Sequence, residues 1–145
     1  MALDQDVRRL GQIDLLGALE PEALGLVAFS SRKQRLRAGD RLYEAGETLD
    51  AAIVVLSGEI ELSGGEGLPP RRVGAEATLG ELALFAPVAA PTDARAATDA
   101  VVMRVAREVM ARVMEEFPET AEATRDRLAR QLARFAGEAR RVEAS

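Results

Sequence analysis

Between Ser31 and Val73 the chain is cut at short intervals by glycine turns, and no other feature restricts the fold as strongly. Ala38-Gly39-Asp40, Ala45-Gly46-Glu47, Ser57-Gly58-Glu59 and Ser63-Gly64-Gly65 separate apolar stretches too short to be helices. Ile53 to Leu56 is a continuous apolar run, after which Ile60 and Leu62 alternate with Glu59 and Glu61 at the two-residue period of a strand. Several short strands at turn spacings of about 8–12 residues predict an antiparallel barrel or sandwich. Gly39, Gly46, Gly58 and Gly74 are expected to hold turns at positive φ, and Gly64 to Pro70 to be an exposed hairpin loop.

Helical patterns flank this region. Leu10, Ile13, Leu16 and Leu19 predict a first helix. Pro21 opens a second at a position where its missing N–H costs nothing, with Leu24, Val27 and Ala28 as the apolar side. Pro87 and Pro91 exclude a helix over Ala86 to Pro91. Val101 to Val105 reads as one more strand, and Arg107 to Glu116 as a short helix ending before Pro118. Glu119 to Val142 carries the strongest helical signal: Ala121, Leu128, Leu132, Phe135, Ala139 and Val142 keep steps of three and four, with Arg125 in the gap. Such a seam either packs on its own barrel or pairs with a second copy, and dimerisation through Leu128, Leu132, Phe135 and Ala139 is the favoured expectation. The arginines of this helix alternate with Glu122, Asp126 and Glu138, the pattern of a solvated face rather than of a nucleic-acid surface.

The expected fold class is therefore α+β: an antiparallel β-roll, or jelly-roll-like barrel, flanked by N-terminal helices and a long C-terminal helix. One domain is expected over residues 1–145, with helices over 1–30, the roll over 31–106 and the C-terminal helices over 107–145. The length suits a single core. Without any histidine or cysteine the chain lacks the commonest general base, the usual metal ligands and all disulfide chemistry, so no enzyme and no metal site are expected. A net charge of -5 speaks against nucleic acid as a direct partner. Met1 to Gly11 lacks the apolar centre of a signal peptide and no run is long enough to span a membrane, so a cytoplasmic location is expected.

The order of helices, glycine-punctuated strands, Gly80-Glu81-Leu82-Ala83-Leu84, a final strand and a long helix resembles the cyclic-nucleotide-binding domain of catabolite-activator-type regulators, protein kinase A regulatory subunits and gated channels. The resemblance covers about residues 10 to 140 and is carried by Gly39 with Leu42, Gly46 with Glu47, Ile53 to Ile60, Gly74, the Gly80 run and Thr98-Asp99. It implies an eight-stranded β-roll with helices at both ends, and a phosphate-binding cassette over 80–93. Gly80, Glu81, Leu82 and Ala83 would be its ligand-facing turn, with amides directed at a phosphate. Glu81 stands where the family's glutamate accepts a ribose hydroxyl, although a structural role at the strand-to-helix turn is favoured here.

In that family an arginine about ten residues after the glycine pairs with the cyclic phosphate through its planar fork of donors. The ungapped register puts Ala90 there, followed by Pro91, Thr92 and Asp93. Ala90 removes the cation, Pro91 removes an N–H, and Asp93 places an anion where a hydroxyl is usual. Arg95, within Arg95-Ala96-Ala97-Thr98, is the alternative anchor, but it needs an insertion of five residues that the downstream match of Thr98-Asp99, Val105 and Arg107 does not support. The resemblance thus implies a stand-alone regulatory or interaction module with a degenerate site. No cofactor is expected, cAMP and cGMP are disfavoured, and the partner is a second copy or another protein. The alternatives are a genuine sensor of a cyclic nucleotide or another anion signalling through its C-terminal helix, or a fragment or partner of a DNA-binding regulator. No helix-turn-helix segment is read before Ser145.

Overall fold

The computed structural model describes residues 2–13, 15–65, 69–75 and 77–144, with side chains from Gln5 to Arg134 within those ranges. In chain order the elements are α1 (Ala2–Gly11), α2 (Pro21–Ser30), β1 (Arg32–Leu36), β2 (Arg41–Tyr43), β3 (Thr48–Leu49), β4 (Ala51–Ser57), β5 (Ile60–Ser63), β6 (Arg71–Val73), β7 (Thr78–Leu79), a 3₁₀ turn (Glu81–Leu84), β8 (Val88–Ala89), β9 (Asp93–Ala96), β10 (Ala100–Ala106), α3 (Arg107–Glu116) and α4 (Pro118–Ala144). Contacts gather into two compact units, Met1–Ala28 with Val113–Ser145, and Phe29–Arg112. None of the described helices is long and apolar enough to cross a membrane.

The second unit is the β-roll. Its strands form three antiparallel sheets, ordered β1-β10-β4-β7, β2-β9-β5-β6 and β3-β8. Where the resemblance implies eight strands, the described residues form ten, of which β3, β7 and β8 are only two residues long. One core cluster joins all three sheets: Leu36, Ile53, Val55 and Val102 from the first, Leu42, Tyr43, Ile60, Leu62, Ala94 and Ala96 from the second, and Leu49 from the third. With a single tyrosine and no tryptophan in the chain, small aliphatic side chains fill this space, and alanines let the strands of the second sheet approach the interior closely. β4 is buried at Ala51 through Leu56, as a continuous apolar run requires.

The glycine turns are largely where the spacing predicts them. Gly39, Gly46 and Gly58 have φ of 94°, 87° and 80°, but Gly74 is not among the positive-φ glycines, whereas Gly64 and Gly80 are. At Gly58 a side chain is excluded by packing as well as by conformation, since a Cβ would overlap the Asp99 carbonyl oxygen and press on the Ala100 backbone.

In the first unit, α1 stops at Gly11, so the helix expected through Leu19 is replaced by successive turns closed by Ile13 N–H to Leu10 O, Leu16 N–H to Ile13 O and Leu19 N–H to Leu16 O. The same leucines are buried all the same, which is why their spacing looked helical. The seam of α4 also differs from expectation. Ala121 and Thr124 are buried and Leu128 and Gln131 half-buried, while Arg125 is exposed and Leu132 is 48% exposed. The inward stripe thus runs through Thr124, whose hydroxyl donates to the Thr120 carbonyl at 2.9 Å and so needs no outside partner. Phe135 and Ala139, the outer half of the expected dimer seam, lie beyond the described side chains.

Candidate functional site

The cassette begins where β7 ends. Gly80 adopts a left-handed conformation, φ 65° and ψ 37°, that turns the chain into the 3₁₀ helix Glu81–Leu84. A Cβ at this glycine would lie 2.9 Å from Leu49 Cδ1, so the turn is wedged against β3 and admits no larger residue without displacement. Ala83 and Leu84 are buried, and Glu81 and Leu82 partly so. The Ala83 N–H donates to the Gly80 carbonyl at 2.9 Å, and the Phe85 and Ala86 N–H groups both donate to the Leu82 carbonyl. Arg107, at the start of α3, closes the far side. Its Nε donates to the Ala83 carbonyl and its Nη2 to the Leu49 carbonyl, both at 2.9 Å. One guanidinium therefore holds the end of the cassette turn and β3 together.

Downstream, β8 pairs with β3, which brings the 44–47 turn against the grip positions. The Ala90 N–H donates to the Glu47 carbonyl and the Ala90 carbonyl accepts from the Gly46 N–H, each at 2.8 Å. Its side chain is 3% exposed and belongs to the core cluster. Pro91 is exposed and has no N–H to offer. Asp93 is not directed at a ligand position: its Oδ1 accepts from the Ala45 N–H at 2.7 Å. The turn is further closed by Glu44 N–H to Glu47 Oε2 at 3.1 Å. The backbone polar groups at Ala90 and the carboxylate of Asp93 are thus engaged in tying the 44–47 turn to the cassette.

Side-chain direction on the second sheet follows the strand pairings. Leu62 stands opposite both Arg71 and Ala94, and Tyr43 opposite Ala94, so these four share one side of the sheet, on which Leu62, Ala94 and Tyr43 are buried and Arg71, on the edge strand, is exposed. Glu61 stands opposite Arg72 and Arg95, and Arg95 opposite Arg41, on the exterior face. Arg95 is exposed accordingly, with Ala94 and Ala96 buried on either side of it.

At the open end of the interior face lies a groove of ≈ 410 Å³ lined by Leu62, Ser63, Gly65, Pro69, Arg71, Pro91 and Thr92. Tyr43 sits at the other end of the same row, 5% exposed. Its burial pushes the phenol above the ordinary tyrosine value, against a hydrogen bond from the Thr92 side chain and the charge of Arg71, which pull it down. Thr92 is among the cassette positions expected from the sequence, whereas no motif marks Tyr43 or Arg71. The larger cleft of ≈ 560 Å³ near Arg35, Asp40, Ser57 and Asp99 is a turn junction, in which Asp99 Oδ1 accepts from the Ala38 N–H and Asp40 Oδ2 from the Arg37 N–H.

A β-roll with a glycine-turned cassette closed onto the first residue of the following helix defines a regulatory binding domain. Residues 33–117, more than half of the chain, match the family described as cyclic nucleotide-binding domain. The chain belongs to that family. Among solved structures it is similar to a cyclic nucleotide-binding-like protein from Brucella abortus, at 36% identity and a TM-score of 0.72 over 77% of this chain and 99% of that one. It is also similar to the N-terminal domain of a transcriptional regulator from Streptomyces coelicolor, at 25% identity and a TM-score of 0.78 over 90% and 94%. An uncharacterized NTE family protein of Mycobacterium tuberculosis is 29% identical over 109 residues, and the chain spans only 19% of its length.

Proposed function

We propose that this chain is a regulatory interaction module of the cyclic nucleotide-binding family whose cassette does not grip a cyclic phosphate in the family's manner. The observation that carries this is the closure of the 44–47 turn onto the cassette. Ala90 brings no cation, its N–H is bonded to Glu47, Pro91 has none, and the Asp93 carboxylate is bonded to Ala45. Losing a charge-assisted hydrogen bond lowers affinity by about 10- to 100-fold. Neither Arg95, on the exterior face, nor Arg107, bonded to two carbonyls, makes up that loss.

Signalling then runs through protein contacts, with the exposed Leu132 of α4 as part of a homodimer or partner surface. Catalysis has no role in this function. Similarity to the N-terminal domain of a transcriptional regulator favours, as a second reading, a module that serves a DNA-binding partner or a further segment of the same protein. Calorimetry with cAMP and with cGMP tests the main proposal. No saturable heat is expected below about the millimolar range, and micromolar binding of either nucleotide overturns it.

A further inference from the structure

We propose that the groove beside Pro91 binds a small organic acid with an apolar body, and that Arg71 of β6, rather than any cassette residue, receives its carboxylate. This rests on the cassette not gripping a cyclic phosphate.

The register of the β5–β6 hairpin puts Arg71 opposite Leu62, so its side chain leaves the edge strand β6 on the Leu62 side and, though exposed, lines the groove there. Arg71 forms no ion pair among the described residues. Around it the groove walls are chiefly apolar, from Leu62, Pro69 and Pro91, with the Thr92 hydroxyl as a further polar contact. Arg71 is itself exposed on β6, so the cation stands at the open mouth of the groove, near enough to the buried Tyr43 for its charge to act on the phenol. A volume of ≈ 410 Å³ lies in the usual range for small-ligand sites.

One planar cation between apolar walls matches a monocarboxylate, which takes two parallel hydrogen bonds from the guanidinium fork while its body replaces water on Leu62, Pro69 and Pro91. It does not match a phosphate dianion or a nucleotide. The amide donors that a phosphate would require at Ala90 and Pro91 are engaged or absent.

The test uses the intact chain and calorimetry with benzoate, hexanoate, benzamide, inorganic phosphate and cAMP, on wild type, Arg71→Met, Arg71→Lys and the exterior control Arg72→Met. Saturable binding of at least one of the two acids is expected. Benzamide and phosphate should bind at least about 10-fold more weakly than that acid, and Arg71→Met should weaken it about 10- to 100-fold while Arg72→Met leaves it unchanged. Arg71→Lys, which keeps the charge and loses the fork, should weaken the acid several-fold, and it decides the matter by itself where Arg71→Met fails to fold. Silence of both acids, benzamide or phosphate binding as well as the acid, or equal loss in the Arg71 and Arg72 variants overturns the assignment. Silence of the acids together with silence of cAMP removes the carboxylate alone, whereas micromolar cAMP binding removes the proposed function on which it rests.

Discussion

Replacing Ala90 by arginine tests the proposed register, in which this position is that of the family's phosphate-pairing arginine, and the packing around Ala90 sets the cost. The Ala90 side chain is 3% exposed within a cluster that includes Leu42, Leu49, Leu62 and Ala94. Its backbone is held on both sides by the Gly46 and Glu47 bonds, so the chain cannot simply rotate the new side chain outward. Overfilling a packed interior costs about 1–3 kcal/mol, and a buried charge left unpaired brings the total to about 3–5 kcal/mol. Such a loss is large against the roughly 5–15 kcal/mol that holds a domain together. Urea unfolding followed by circular dichroism measures it, with Ala90→Leu as the volume control, expected to lose about 1–3 kcal/mol. If the variant gains the family's ligand, cAMP at about 100 times its Kd returns ~2.7 kcal/mol, while the wild type gains nothing. An Ala90→Arg protein less than about 1 kcal/mol weaker than wild type would refute the reasoning from the burial of Ala90 in the core.

Other consequences are open to direct measurement. Arg107→Met removes two charge-to-carbonyl hydrogen bonds from a partly buried site and should lower unfolding stability by about 2–4 kcal/mol, against less than about 0.5 kcal/mol for the exposed neighbour in Glu108→Gln. Tyr43 is the only tyrosine, so phenolate absorbance reports it alone. Its native midpoint should lie above the ordinary value of about 10, and Arg71→Met should raise it further, because Arg71 pulls it down. Since the unfolded chain loses that proton first, stability is fully present below the ordinary tyrosine value and falls as pH rises through the native one, and Tyr43→Phe flattens this alkaline limb. For the surface of α4, sedimentation equilibrium should find a wild-type dimer converted to monomer by Leu132→Asp, and a wild type monomeric at high concentration refutes the seam.

Much of the roll is legible because its turns are written in glycine: Gly39, Gly46 and Gly58 can be placed from sequence spacing, and β4 follows from four consecutive apolar residues. A helix is expected past Gly11, where the chain forms none, because leucines buried by successive turns repeat at nearly the same interval as leucines on a helix face. In α4 the choice between Leu132 and the Thr124–Gln131 stripe as the inward side depends on a small rotation of a long helix, which a polar residue with an internal hydrogen bond, Thr124, can win. Ala90 and Pro91 were visible as departures from a pattern. That Asp93 serves the 44–47 turn was not, because its partner Ala45 is 48 residues away in sequence. Arg71 is the hardest case. Arg71 and Arg72 are identical in type and both exposed, and only the pairing across the β5–β6 hairpin decides which shares the Leu62 side and the groove; a slip of one residue would exchange them.

Arg107 has a consequence beyond stability. With one nitrogen on the cassette turn and another on β3, and its own backbone opening α3, it makes the start of that helix answer to the separation of two carbonyls. Neither carbonyl needs a nucleotide to be held. Under the proposed function, input and output in this roll are separable: the tie between cassette and helix needs no cyclic phosphate, so any ligand or partner that moves the cassette would act on the start of α3.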